Sequence, residues 1–221
     1  MKLTYYGYQP FDVQPGEITV LATAAPKIYH DLVIGLRDDM DTVRLASDDF
    51  ELLKHSQASH WYGDPVLEID LNKIFQRKLQ DLFLKSLSEK QVVQLTDDWQ
   101  RIITQILGDS YLLDVPLNVP ETPALAKLVK LSGLQLEESV NREPYGILET
   151  LIKTLVELND QKMVVLTNIS HYLQVPRLKM LRKVVATTYL PVLDIEFSEN
   201  RQKDYFKECR YHFIDHDFIL W

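Results

Sequence analysis

Three segments near the C-terminus constrain the fold more than anything else in this 221-residue chain. Met163-Val164-Val165-Leu166 is a compact apolar run that reads as a buried strand. Apolar residues then recur at helical spacing from about Pro176 to Thr188, and Val192-Leu193-Asp194-Ile195-Glu196-Phe197 reads as the next strand. Strand, helix and strand in so short a span form a βαβ crossover, which requires the two strands to run parallel. Alternation within the second strand puts Asp194 and Glu196 on one face, where solvent-facing acids are expected.

The N-terminal segment supplies the same kind of structure. Leu3-Thr4-Tyr5, Ile18-Thr19-Val20-Leu21 and Val43-Arg44-Leu45-Ala46 read as strands, and Gln14-Pro15-Gly16 as a turn. Pro26 suits a first helical position, with Ile28, Tyr29, Leu32, Val33 and Leu36 following at helical spacing. His55 and His60 fall in a loop-like stretch. Further strand is expected over Tyr211 to Ile214 and Phe218 to Trp221.

Between these ends the periodicity changes to 3.6. A helix is expected from about Val66 to Leu87. Ser88 with Gln91 forms a capping box that opens a second helix, whose Val92, Leu95, Trp99, Ile102 and Ile106 make a coiled-coil-like seam ending near Gly108. Two long helices with so short a joint imply an antiparallel hairpin. Shorter helices follow from Ala124 to Ser132 and from Pro144. The expected architecture is α/β: a parallel-sheet head made of residues 1–61 and 143–221, with a helical leg domain at 62–142.

The strand ending at Leu21 runs into a helix through Ala22-Thr23-Ala24-Ala25-Pro26-Lys27, the position of a phosphate-binding loop in nucleotide-binding folds. No glycine and no Lys-Ser/Thr pair occurs there, and Pro26 removes one amide donor. The head therefore reads as related to nucleotide-binding folds without the phosphate loop. The six histidines have no metal-ligand pattern. Asp194 and Glu196, with Lys203, offer one loose nuclease-like arrangement, whereas simple surface acids are the plainer reading. The acids from Asp38 to Glu51, and Asp109 with Asp114, offer oxygen ligands to a hard cation but lack the spacing of a dedicated calcium loop.

Charge is the strongest physical signal. The chain carries a net charge of −8, yet no acid occurs in the 33 residues from Gln161 to Leu193. Lys162, Arg177, Lys179, Arg182 and Lys183 stand in that stretch without a local counter-ion, and Lys179, Arg182 and Lys183 share roughly one third of a helix circumference. Such a row of cations suits an anionic polymer, or else belongs to an ordinary amphipathic helix whose charged outer face is partnered by acids from elsewhere in the fold. One cysteine, Cys209, makes neither an internal disulfide nor a zinc site. The opening residues lack the apolar core of a secretion signal, and no apolar stretch nears the roughly 20 residues that span a bilayer. A cytoplasmic protein with no membrane contact is expected.

Taken in order, Met1-Lys2-Leu3-Thr4-Tyr5, Gly16 to Leu21, Val164 to Leu173, Val192 to Glu196 and Phe213 to Leu220 resemble the sequence blocks of the accessory spacer-acquisition proteins of type II-A CRISPR systems. The resemblance covers nearly the whole chain and rests on the order of loose hydrophobic blocks. It implies a head-and-leg subunit that assembles into a homotetrameric ring. It also implies binding of double-stranded DNA, preferably at ends, through a positively charged opening, with no catalysis of its own. The implied partners are the CRISPR integrase proteins and the RNA-guided nuclease of the same system. Calcium stabilises the ring in several members. Here the corresponding stretch keeps Asp114 and has Asn118 where a carboxylate is expected, so these two are the candidate calcium ligands. The alternatives are a metal-dependent nuclease built on Asp194 and Glu196, or a scaffold whose helical legs recruit protein partners.

Overall fold

The structure is a computed structural model that describes residues 1–119, 124–137 and 143–221. It divides the chain into two units, one formed by Met1–Asp70 and Glu138–Trp221, the other by Leu71–Glu137.

The first unit is built on two sheets. An antiparallel sheet has the order β2-β1-β4-β5, made of β1 (Lys2–Tyr5), β2 (Phe11–Asp12), β4 (Val43–Ala46) and β5 (Leu52–Leu53). A five-stranded sheet has the order β6-β7-β8-β3-β9, made of β3 (Ile18–Thr23), β6 (Ser59–Gly63), β7 (Met163–Thr167), β8 (Val192–Phe197) and β9 (Arg210–Ile214). All its pairings are parallel. The expected crossover is present: β7 and β8 are neighbours, with Val165 opposite Leu193, and α7 (Val175–Thr188) connects them. The Gln14-Pro15-Gly16 turn closes by a bond from the Glu17 amide to the Gln14 carbonyl, with Gly16 at φ +77°, a conformation few other residues adopt without cost.

Parallel sheets bury both faces because helical crossovers cover them. On one face Leu21, Val165, Leu193 and Ile195 join Ile28, Leu32 and Leu36 of α1 (Pro26–Arg37), with Leu3, Val43 and Leu45 of the antiparallel sheet, in one continuous core. Also buried in this unit are Leu148, Leu151, Ile152 and Leu155 of α6 (Pro144–Glu157) and Leu178, Leu181 and Val185 of α7, and the two helices pack on each other. Burial at roughly 25 cal/mol per Å² makes such apolar strips the main cohesive force.

Several expectations change here. His55 and His60 lie not in a loop but in α2 (His55–Ala58) and β6. Ser59-His60-Trp61-Tyr62-Gly63 has no aliphatic run, and it is an edge strand held by pairing to β7. The head unit consequently extends to Asp70, beyond the expected boundary at 61. Phe218 to Trp221 contributes only an isolated bridge between Ile214 and Leu220, because the Asp215 carboxylate folds the segment back by accepting the amides of Asp217 and Ile219 and the Trp221 indole N–H.

In the second unit, α3 (Leu71–Ser86) and α4 (Glu89–Asp109) are both contacted by the short α5 (Leu125–Leu131) and barely touch one another, so the expected antiparallel hairpin is not a packed pair. α3 starts at Leu71 rather than Val66. The capping box at the head of α4 forms in both directions: Ser88 accepts from the Gln91 amide, and the Gln91 side chain accepts from the Ser88 amide. The apolar seam of α4 stays largely uncovered, with Val92, Ile102 and Ile106 exposed, as are Tyr111 and Leu112 beyond it.

Candidate nucleic-acid interface and the closed phosphate turn

The five cations expected to act together fall into four groups. Lys162, at the start of β7, donates to the Ser56 carbonyl at 2.8 Å and lines a cleft with Gln57, Leu158 and Asp160. Arg177 pairs with Glu143 at 2.9 Å and stacks over the Tyr145 ring, tying α7 to α6. Lys179 and Arg182, one turn apart on α7, share a single carboxylate, Glu208, at 3.4 and 3.0 Å. The hydrogen bond from Lys179, with the charge of both cations, holds the Glu208 carboxyl below its ordinary pKa. Lys183 is exposed and, among the described residues, has no ion-pair partner.

The expected absence of counter-ions is thus corrected for three of the five. The partners come from outside the acid-free stretch, brought in by folding. On α7 what remains is a surplus of one charge on the shared Glu208 pair, plus Lys183, while Lys162 lies outside the helix against the Ser56 carbonyl. Sequence reasoning missed two neighbours, Lys207 and Arg210. Both line a cleft of about 370 Å³ with Arg182, Glu208, Gly16 and Glu17, and Arg210 pairs with Glu17 at 2.8 Å. The available signal was composition: Arg201 to Arg210 holds four cations against two acids.

In open parallel sheets ligands sit beyond the carboxyl ends of the strands. Here that place is occupied by protein. The Ala24 amide donates to the Ile214 carbonyl at 2.9 Å, the Ala25 amide to Thr23 Oγ1 at 3.0 Å, and Pro26 has no N–H. The first donors a phosphate would need are spent. Asn168, left-handed at φ 55°, donates through Nδ2 to the Tyr29 hydroxyl at 2.7 Å and accepts the Phe197 amide at 3.0 Å. The Tyr29 ring meets Phe197 edge-on, and burial raises its pKa.

Asp194 and Glu196 are not solvent-facing acids: they are 0% and 1% exposed. β8 is the middle strand of a sheet covered on both sides, so even its polar face is interior. Glu196 accepts the Ser170 amide and hydroxyl, both at 2.8 Å, and Asp194 Oδ1 accepts the Ile169 amide at 3.5 Å. A nuclease arrangement would need these carboxylates open to substrate.

Asp114 and Asn118 lie on an exposed stretch. Among the described residues no group of three or more His, Cys, Asp or Glu is placed to hold a metal ion. Glu121, the other acid of that stretch, lies outside the described residues.

The fold therefore defines an α/β protein with a nucleotide-binding-like parallel sheet and a helical unit attached. Its architecture is similar to that of Stu0660 of Streptococcus thermophilus, with a TM-score of 0.52 at 12% identity over 97% of this chain and 74% of that one. Two ATP-binding cassettes of ABC transporters, one nucleotide-free and the other MJ1267 in its ADP conformation, align over 97% of this chain and 84% of theirs. Each has a TM-score of 0.46, at 12% and 11% identity respectively. No protein-family model and no curated protein matches the sequence. Among the described residues no helix is long and apolar enough to cross a membrane.

Proposed function

We propose that this chain is a non-catalytic double-stranded DNA-binding protein of CRISPR adaptation that works as a homotetrameric ring. The observation that carries the reading is the outer face of α7, where Lys179 and Arg182 share one carboxylate and Lys183, among the described residues, has none. An acidic chain grips an anionic duplex when such local surpluses are multiplied by symmetric copies and point to a common opening. Three further features support it. The blocks that carry the sequence resemblance fall on β1, β3, β7, β8 and the end of β9 with the segment after it, all in one head. The turn after β3 has lost its free amide donors, which favours a role without nucleotide chemistry. The open seam of α4 offers apolar surface for assembly.

Changing Lys179, Arg182 and Lys183 together to Glu tests the assignment. The triple variant keeps the wild-type solution mass and loses the mobility shift of a short duplex. Undiminished binding by that variant would show that other residues carry the contact. Incubating linear DNA with magnesium or manganese separates this reading from the nuclease, and intact DNA is the expected result.

A further inference from the structure

Two acids facing the interior with no cation beside them need an explanation. Among the described residues neither Asp194 nor Glu196 has an ion-pair partner, and Asp194 Oδ2 is buried with no hydrogen-bond partner at all if both acids are ionised. Two adjacent buried carboxylates would repel one another in a medium that screens them poorly. An orphaned oxygen beside a second carboxylate is satisfied at once if it carries a proton.

We propose that Asp194 is a carboxylic acid whose O–H donates a hydrogen bond to Glu196, so that this one proton clamps the turn leading into α7. Glu196, as the acceptor, keeps both oxygens on Ser170, the middle residue of the single 3-10 turn Ile169–His171 that follows β7. The chain of contacts runs from Asp194 to Glu196 to Ser170, and from that turn into the helix that bears Lys179, Arg182 and Lys183. The clamp does not depend on what those cations bind.

The surroundings support the assignment. The groups that face the pair are Tyr29 of α1, Tyr205 and Cys209 of the β8–β9 connection, Tyr211 of β9, and Ser170. Burial pushes the Cys209 thiol up to about 12 and raises all three phenols, so each is neutral near pH 7 and none supplies a positive charge. Burial first, and then Glu196, raises the Asp194 carboxyl well above its ordinary range.

Linkage fixes the sign. A carboxyl whose folded pKa lies above its unfolded value of about 3.9 holds a proton in the folded state that the unfolded chain has released. Stability is fully present below that unfolded value and falls as pH rises, the folding constant losing about tenfold per pH unit until Asp194 ionises in the folded protein.

Asp194→Asn keeps a donor aimed at Glu196 and has no proton to lose. The experiment compares urea unfolding of wild type and D194N from pH 4.5 to 8.5. The wild-type folding constant should drop relative to that of D194N by about tenfold per pH unit over the lower part of that range. Parallel pH profiles for the two proteins would overturn the proposal. Should D194N fail to fold, the side-chain carboxyl carbon of Asp194 in carbon-13-labelled wild-type protein decides by NMR. A protonated-acid shift at pH 7 upholds the clamp, and a carboxylate shift removes it.

Discussion

Glu208 gives the interface reading its most quantitative test. Its two oxygens hold Lys179 and Arg182 at 3.4 and 3.0 Å, and all three side chains are roughly half exposed. Glu208→Gln preserves size and removes one negative charge beside two cations. Exposed ion pairs are screened by solvent and contribute little to stability, so the variant is expected to fold with an unchanged melting midpoint. Its DNA binding should change in a defined way. Each phosphate neutralised adds about 0.9 to the slope of log K against log salt. One charge released per subunit therefore steepens the slope by roughly 0.9 for every subunit that touches the duplex. Between 50 and 200 mM salt that is an extra loss of roughly 3.5-fold per subunit, with tighter binding than wild type at the low end. Fluorescence anisotropy of a labelled duplex across a salt series measures it. A slope equal to that of wild type, or weaker binding at low salt, would refute the idea that this face meets phosphate.

Two further substitutions test the scaffold. A Cβ at Gly35 would stand 2.6 Å from Val43 Cγ2 and 2.7 Å from Thr42 Oγ1, so Gly35→Ala should lose more by collision than the roughly 1 kcal/mol that alanine gains in a helix. Urea unfolding should show net destabilisation, and a stabilised variant would contradict the packing of α1 on β4. Asn168→Ala removes the bonds to Tyr29 and Phe197, each worth about 1 kcal/mol, and puts alanine in a left-handed conformation. A loss of about 2–3 kcal/mol is expected in the same assay. An unchanged midpoint would mean that the closed crest of the sheet does not depend on this side chain.

Much of the head was legible because its elements obey simple local rules. Pro26 opens α1, and the apolar runs at 18–21, 163–166 and 192–197 are strands. The Ser88–Gln91 capping box marks the start of α4 to the residue. Two of the failures share one cause: the deciding partner lies far off in sequence. Ser59–Gly63 becomes a strand because β7 pairs with it from a hundred residues away. Glu143 and Glu208 neutralise cations in a stretch that looks acid-free.

The acids of β8 held a signal that went unused. A strand inside a βαβ unit is covered on both faces, so Asp194 and Glu196 alternating there had to be interior. For the helical unit, periodicity located α3 and α4, but an apolar seam does not say whether its partner is the neighbouring helix or another molecule.

In the proposed ring, identical copies close around a duplex and turn a modest surplus of cations inward. Solution mass of the purified chain, alone and with one equivalent of a short DNA duplex, tests it most directly. A species of four chain masses that gains the mass of one duplex is the expected result. A particle that stays at one chain mass in both samples would contradict it.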